Sequence, residues 1–339
     1  MQAINDRQIL IPEFIESKLV QIAVDTTAFC NARCESCIWA YMGTDADIMS
    51  LDEFRTILDR FEGFQFSEFA FNVINEPFVD KTICEKIVEL AERQVQVASL
   101  FFSSNWLLPE SGTLAKFVDV IARCDACPTI RAISLNATIS GIDGESYDRG
   151  QAGSNLNGTI AKYKKLDFKK AVTNICLVLR KLSSLRLTKP LRFSIKAYSD
   201  EFDRIQMAKF WDETLLAAGI PADFVRDHVR IVLNHCRITF ARFKQSVERQ
   251  DGKDLVRACT SRFLTDNLVI SSRGKLGLCC QDGIRSVVIG SLLQESLMDV
   301  VRSEVFQQHL KIATGFQRPV GDHPCLHCEF YVPQSNFGR

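Results

Sequence analysis

Three cysteines fall within eight residues in the run Cys30-Asn31-Ala32-Arg33-Cys34-Glu35-Ser36-Cys37, after an apolar, strand-like stretch at 19–24. Three thiolates at this spacing can hold three corners of an iron–sulfur cube and leave the fourth iron without a protein ligand. An open coordination position marks a catalytic rather than a structural metal. Structural zinc is the simpler alternative, but zinc takes four ligands and the first histidine in the chain is His228. A ferredoxin-type cluster would need a fourth cysteine at a spacing this stretch lacks.

The CxxxCxxC spacing resembles the signature of the radical S-adenosylmethionine (radical SAM) superfamily. In that family the open iron chelates the amino and carboxylate groups of SAM. Reductive cleavage then gives methionine and a 5′-deoxyadenosyl radical, which abstracts a substrate hydrogen. The position before the third cysteine is usually aromatic in the family, and here it is Ser36.

The chain has 339 residues, enough for one large domain and a small one, and its 41 Lys and Arg balance 41 Asp and Glu. Neutral charge, with no basic helix or aromatic–basic surface pattern, gives nothing to steer the chain to nucleic acid or anionic lipid. No apolar run reaches the length of a membrane span, and the N-terminus lacks a secretion pattern, so a cytoplasmic, membrane-free protein is expected. Thirteen cysteines without an export signal point to metal binding or catalysis rather than disulfides.

After a lead-in at 1–18, strands are expected at 19–24, 66–73, 97–102, 130–135, 191–197 and 229–233. Helices are expected between them: one from a Ser50–Glu53 capping box, one at 80–93 with Asp80 as N-cap, then around 114–121, 168–186 and 201–217. Residues 139–167, rich in Gly, Ser and Asn, read as an extended loop. Alternating strands and helices imply right-handed parallel β/α units, and six are too few for a closed eightfold barrel. They fit the partial (β/α)6 barrel of the resemblance, at 19–236. The cysteine loop, Asn75-Glu76-Pro77, Ser103-Ser104-Asn105 and Asn136 all fall near expected strand C-termini, where barrel enzymes place their chemistry.

Ile74-Asn75-Glu76-Pro77 resembles the family's GGEP-like motif, with Ile74 and Asn75 in place of glycines. The resemblance implies that Asn75 and Glu76 help receive the ammonium of SAM. An ordinary turn is the plainer alternative. It also implies that Asn105, Ser134, Asn136 and Lys196 contact the ribose or carboxylate, against the alternative of solvated loop residues.

A second cysteine set occupies 237–339. Two short strands flank Ser272-Arg273-Gly274 as a hairpin, and the order is Cys259, fourteen residues, Gly274, four residues, Cys279, then Cys325-Leu326-His327-Cys328. This resembles the twitch subdomain, a hairpin-plus-helix relative of the SPASM domain. The resemblance implies one auxiliary [4Fe–4S] cluster on Cys259, Cys279, Cys325 and Cys328. Cys280 is the competing ligand beside Cys279. Zinc on the same cysteines, with His323 or His327, is the rival reading. Cys236 follows the sixth expected strand, where a thiol could return a hydrogen atom to a substrate radical.

The expectation is a radical SAM enzyme with two [4Fe–4S] clusters, SAM and a flavodoxin- or ferredoxin-type reductant. Full cysteine ligation of the auxiliary cluster favours electron transfer, hence dehydrogenation of a small polar molecule such as a sugar or aminocyclitol. Radical modification of a ribosomal peptide is the alternative enzyme, and a metal-binding regulator the non-enzymatic one.

Overall fold

The computed structural model describes residues 9–34, 37, 39, 47–93, 95–152, 166–234, 257–280, 282, 287–321, 323–328 and 331–333. A short helix, α1 (Glu13–Ser17), leads into strand β1 (Leu19–Val24). Val20, Ile22 and Val24 of β1 are fully buried, while Gln21 and Ala23 between them are half-buried. Such alternation belongs to a strand with one face under a helix layer and the other toward a lumen.

Five more parallel strands follow in spatial order: β2 (Gln65–Ala70), β3 (Leu100–Ser104), β4 (Ile133–Thr138), β5 (Leu191–Tyr198) and β6 (Val229–Asn234). Helices α2 (Leu51–Asp59), α3 (Ile83–Glu92), α4 (Ser111–Ala126), α5 (Gly144–Ala152), α6 (Phe168–Ser183), α7 (Arg204–Ala217) and α8 (Ala222–His228) connect them. Six strands do not close. The side of β1 that would complete a barrel is taken by β8 (Asn267–Ile270), in parallel register with Ala23 opposite Val269. β8 turns antiparallel into β9 (Lys275–Gly277) and then β10 (Val288–Ser291), so among the described residues one nine-stranded sheet runs from partial barrel to hairpin. A separate pair joins β7 (Arg257–Cys259) to β11 (Tyr331–Pro333), with α9 (Leu297–Arg302) and α10 (Glu304–Thr314) between β10 and β11. The hairpin turn needs Gly274, whose φ is +65° and where a Cβ would stand 2.4 Å from Leu293.

The helix layer is built on aromatic packing. Phe54, Phe66, Phe69 and Phe71 bridge α2 and β2 with ring centroids 5.0–6.1 Å apart. Phe78, Phe102, Trp106 and Phe117 form a second group beneath α4. Edge-to-face pairs at such distances add to the burial energy of large rings. The lead-in docks on the C-terminal part: Phe14 N–H donates to the Thr265 carbonyl, and the Leu10 N–H donates to Gln307.

The sheet differs from the sequence expectation in its strand ends. β3 and β4 run to Ser104 and Thr138, because Ser103, Ser104 and Asn136 continue the ladder and are not loop residues. The helix expected from 80 begins at Ile83. Asp80 does not cap it but accepts from the Thr82 N–H at 2.8 Å and pairs with Lys86. Residues 139–167 contain a helix, α5, where an extended loop was expected. Asp143 accepts the Ser146 N–H at 2.8 Å to start it, and Gly141 lets it fold close to β4, since a Cβ there would lie 2.4 Å from the Tyr147 nitrogen. Strand β10 and helix α8 went unread because each is short and owes its place to tertiary packing.

Asp80 and Lys86 are both fully buried and joined, with the Lys86 ammonium also donating to the Met49 carbonyl and to Thr82. Removing one member of such a pair strands a charge. We expect Asp80→Ala to cost about 3–5 kcal/mol in denaturant unfolding. The double change Asp80→Leu with Lys86→Met should recover most of that; equal losses in both would contradict the assignment.

Candidate active site at the cysteine loop

β1 ends at Val24 and hands directly to Asp25, which is fully buried. Its Oδ1 accepts from the Val73 N–H at 2.7 Å and the Ile74 N–H at 3.2 Å, tying the start of the cysteine loop to the end of β2. Within the loop, the Cys37 N–H donates to the Cys34 carbonyl at 2.9 Å, forming a turn. Trp39 plugs the loop from beneath. Its indole N–H donates to the Cys30 carbonyl at 2.9 Å, the Arg33 guanidinium donates to the Trp39 carbonyl at 3.0 Å, and the Phe29 ring packs edge-on at 5.7 Å. An aromatic anchor is thus present two residues after the third cysteine.

Glu76 is the second organiser. It is 2% exposed, and its carboxylate accepts from the Ser104 hydroxyl at 2.7 Å, the Asn105 N–H at 2.8 Å and the Phe78 N–H at 3.2 Å. Its own N–H donates to the Phe29 carbonyl at 3.0 Å. Burial pushes the carboxyl up to about 7, against the opposing pull of the Asn105, Ser104 and Phe78 hydrogen bonds. The side chain is therefore a strap between the β2 and β3 ends and the cysteine loop. Beside Glu76, both polar atoms of the Asn75 side chain are buried without a partner. Buried amide groups are almost always satisfied, so this pair marks a place where a polar ligand belongs.

Asn105 follows β3 and reaches the loop: its Nδ2 donates to the Asn31 side chain at 2.8 Å and lies 3.9 Å from the Cys30 sulfur. Asn136 is buried within β4, where its carbonyl accepts the Trp106 indole N–H at 3.0 Å and its amide reaches the Ser103 hydroxyl at 3.5 Å. Ser134 lies lower in β4, between Phe101 and Arg192. The Lys196 ammonium lies over the Phe101 ring, 5.9 Å from its centroid. The structure therefore gathers Asn75, Glu76 and Asn105 near the cysteine loop, sets Ser134 lower in β4, and places Lys196 in register with Thr138 at the end of β4. Cys236 lies outside the described residues.

Tyr147 was missed by the sequence reading. It rides on α5, is fully buried, and its hydroxyl has no hydrogen-bond partner. Burial raises its phenol far above the usual range, with the charges of Cys34 and Glu76 pushing the same way. Burial likewise raises the Cys30 thiol well above its ordinary value, followed by the charge of Glu76 and the neighbouring Cys34; Cys37 is raised chiefly by burial. A bound cation reverses that bias by favouring thiolate. Among the described residues no three Cys, His, Asp or Glu side chains gather tightly enough for a single ion. A four-iron cube spreads its cysteines over a larger object than one zinc does. Three thiols on one anchored loop, with the Asn75 amide and the Tyr147 hydroxyl unpartnered beside it, fit a cluster and a polar cofactor.

At the other site, the β7–β11 register sets Cys259 opposite Tyr331, three residues after Cys328. Cys325 and Cys328 flank a 3₁₀ turn, the Cys328 N–H donating to the Cys325 carbonyl at 3.3 Å. Cys279 lies just past β9, and both Cys279 and Cys325 pack against the apolar core. His323 is already engaged at both ring nitrogens: Nδ1 accepts the Cys325 N–H at 3.2 Å, and Nε2 meets His309 Nδ1 at 3.0 Å. That leaves no lone pair for zinc on His323. Burial, then the neighbouring His323, pushes His309 down to about 4, so the pair is neutral.

A cavity of about 190 Å³ joins the two regions. Ala28, Val73 and Ile74 line it on the loop side, and Val269, Lys275 and Cys279 on the hairpin side. Val269, Lys275, Gly277 and Cys279 share the face of the sheet that carries Gln21 and Ala23 in β1. No helix among the described residues is long and apolar enough to cross a membrane.

Comparison with known proteins follows the same division. Residues 259–329, which include all four expected auxiliary ligands, match the SPASM family, an iron-sulfur cluster-binding domain. No curated protein sequence matches the chain significantly. Solved structures with the same fold include BtrN in complex with AdoMet and 2-DOIA, at 12% identity and TM-score 0.50 over 94% of each chain. Streptococcus suis SuiB bound to precursor peptide SuiA aligns at 12% identity and TM-score 0.53 over 92% of this chain and 70% of that one. anSMEcpe with bound AdoMet aligns at 12% identity and TM-score 0.50 over 92% and 86%. At these identities the likeness is one of fold.

The strap assignment has a direct test. Glu76→Ala leaves three buried donors without an acceptor, and we expect a loss of about 3 kcal/mol or more in unfolding free energy. Glu76→Gln, which keeps one acceptor oxygen, should fall between; a wild-type midpoint for Glu76→Ala would contradict the strap.

Proposed function

We propose that this chain, a radical SAM enzyme with a C-terminal SPASM-type iron–sulfur domain, dehydrogenates a small polar molecule. The observation that carries the reading is the cavity that runs from Ala28, two residues before Cys30, to Cys279, and so lies between the two cysteine regions. In this reading Cys30, Cys34 and Cys37 hold a [4Fe–4S] cluster with an open iron, and Cys259, Cys279, Cys325 and Cys328 hold a second, closed one. When bound at the open iron and reduced by one electron from a flavodoxin- or ferredoxin-type donor, SAM supplies the deoxyadenosyl radical that takes a hydrogen atom from the substrate.

The chain's own residues do the rest. Asp25, Glu76 and Trp39 fix the loop that would carry the open-site cluster. The Asn75 amide and the Tyr147 hydroxyl supply the unpaired polar atoms for the amino acid part of the cofactor, and Asn105 is placed beside Cys30. α5 carries the buried Tyr147. The balance for an alcohol is a two-electron oxidation. The C–H bond loses a hydrogen atom and the O–H proton leaves to solvent; a cluster held by Cys259, Cys279, Cys325 and Cys328 would supply the acceptor for the one remaining electron. The segment 19–236 thus serves radical generation and 237–339 electron removal.

Radical modification of a peptide stays the second reading, because SuiB, whose structure was solved with a precursor peptide, shares the fold. Anaerobic incubation of the reconstituted protein with SAM and dithionite should yield equal amounts of 5′-deoxyadenosine and methionine, and Cys34→Ala should reduce both to background. Full cluster loading with no nucleoside formed, or formation untouched by Cys34→Ala, would overturn the proposal.

A further inference from the structure

Inside the partial barrel, below the cysteine loop, two opposite charges face the lumen without meeting. Glu68 stands on β2 beside Gln21 of β1, whose amide donates to its Oε1 at 3.1 Å. A register shift between Val20 and Gln21 allows this. Phe66, Phe69 and Phe71 face the helix layer, and the slip at Ser67 turns Glu68 to the interior. On β5, Ile195 and Ala197 are fully buried, and Lys196 between them points inward over Phe101 of β3.

Among the described residues no carboxylate lies within ion-pair distance of Lys196, and no cation within that distance of Glu68. Yet each feels the other: burial raises the Glu68 carboxyl and lowers the Lys196 ammonium, while their mutual attraction opposes both shifts. Half-buried, unpaired charges cost stability, and a fold keeps them where something else is to pair with them. Gln21 lies in register with Asn267 of β8, two residues before Val269 of the cavity wall, so this polar patch continues the cavity face toward Cys279.

We propose that Gln21, Glu68 and Lys196 form the specificity site for the substrate, a small amine-bearing polyol that presents an ammonium to Glu68 and a hydroxyl or carbonyl oxygen to Lys196. The inference rests on the radical SAM reading and narrows it: it names the substrate class and assigns Lys196 to substrate rather than to SAM. The Phe101 ring offers the flat apolar wall on which a ring's C–H face can lie.

The test uses the reconstituted protein with SAM and calorimetric titration of glucosamine as the amine-bearing probe, with myo-inositol and a neutral heptapeptide as comparators. Glucosamine should bind the parent more tightly than myo-inositol and the peptide. Glu68→Gln, which keeps the shape and the Gln21 contact, should weaken glucosamine at least about tenfold and leave myo-inositol nearly unchanged. Lys196→Met should weaken both. Neither substitution should lower the thermal midpoint, because each removes an unpaired charge. The inference is overturned if glucosamine fails to bind the parent, if both variants bind it as the parent does, or if the peptide binds in preference. Dithionite-driven SAM cleavage by the parent separates the two levels. Cleavage without glucosamine binding sinks this inference alone, whereas absent cleavage sinks the reading beneath it.

Discussion

The two-sided pairing of β1 is the constraint on which the rest depends. A parallel strand buried on both edges must find its partners far away in sequence, and β1 finds β2 on one side and β8 on the other. That choice stops the barrel at six strands and leaves its wall open between β6 and β10. It also aligns the C-terminal ends of β1 and β8, so the cysteine loop after Val24 and the hairpin before Cys279 rise from neighbouring strands. The nearness of Cys279 to the cysteine loop is therefore a consequence of sheet register.

Around that frame, buried polar groups divide into two kinds. Asp25 and Glu76 are saturated by backbone and hydroxyl donors, and they hold loops in place. The Asn75 amide and the Tyr147 hydroxyl are buried and unpartnered. The Glu68 and Lys196 charges are half-buried and apart. A fold tolerates the first kind for stability. The second kind weakens the protein unless a ligand completes it.

Much of this was legible in the sequence because it rests on local chemistry. Cysteine spacing carries its own geometry. The Ser50–Glu53 capping box forms as expected, with hydrogen bonds of 3.1 and 2.7 Å, and Gly274 marks the hairpin turn through its positive φ. What escaped reading is tertiary. α5 is short, Gly- and Ser-containing, and stands only because Gly141 permits a close approach, so Tyr147 gave no local signal. Ser103 and Asn136 looked like loop residues, yet a strand facing a polar lumen accepts them. Asp25 follows an apolar strand directly, and a carboxylate at that place was the one available hint of the strap to β2. The parallel pairing of β1 with β8 spans more than two hundred residues and leaves no trace in either segment.

The central claim of the proposal is that two cubanes sit on two distinct cysteine sets. Iron and sulfide analysis after anaerobic reconstitution tests it most directly, on the parent and on the Cys30→Ala, Cys34→Ala, Cys37→Ala triple variant. The account predicts about eight irons per chain, falling to about four in the variant with the hairpin cluster intact. About four irons falling to none, with zinc on the C-terminal cysteines, would contradict it and remove the electron acceptor from the mechanism.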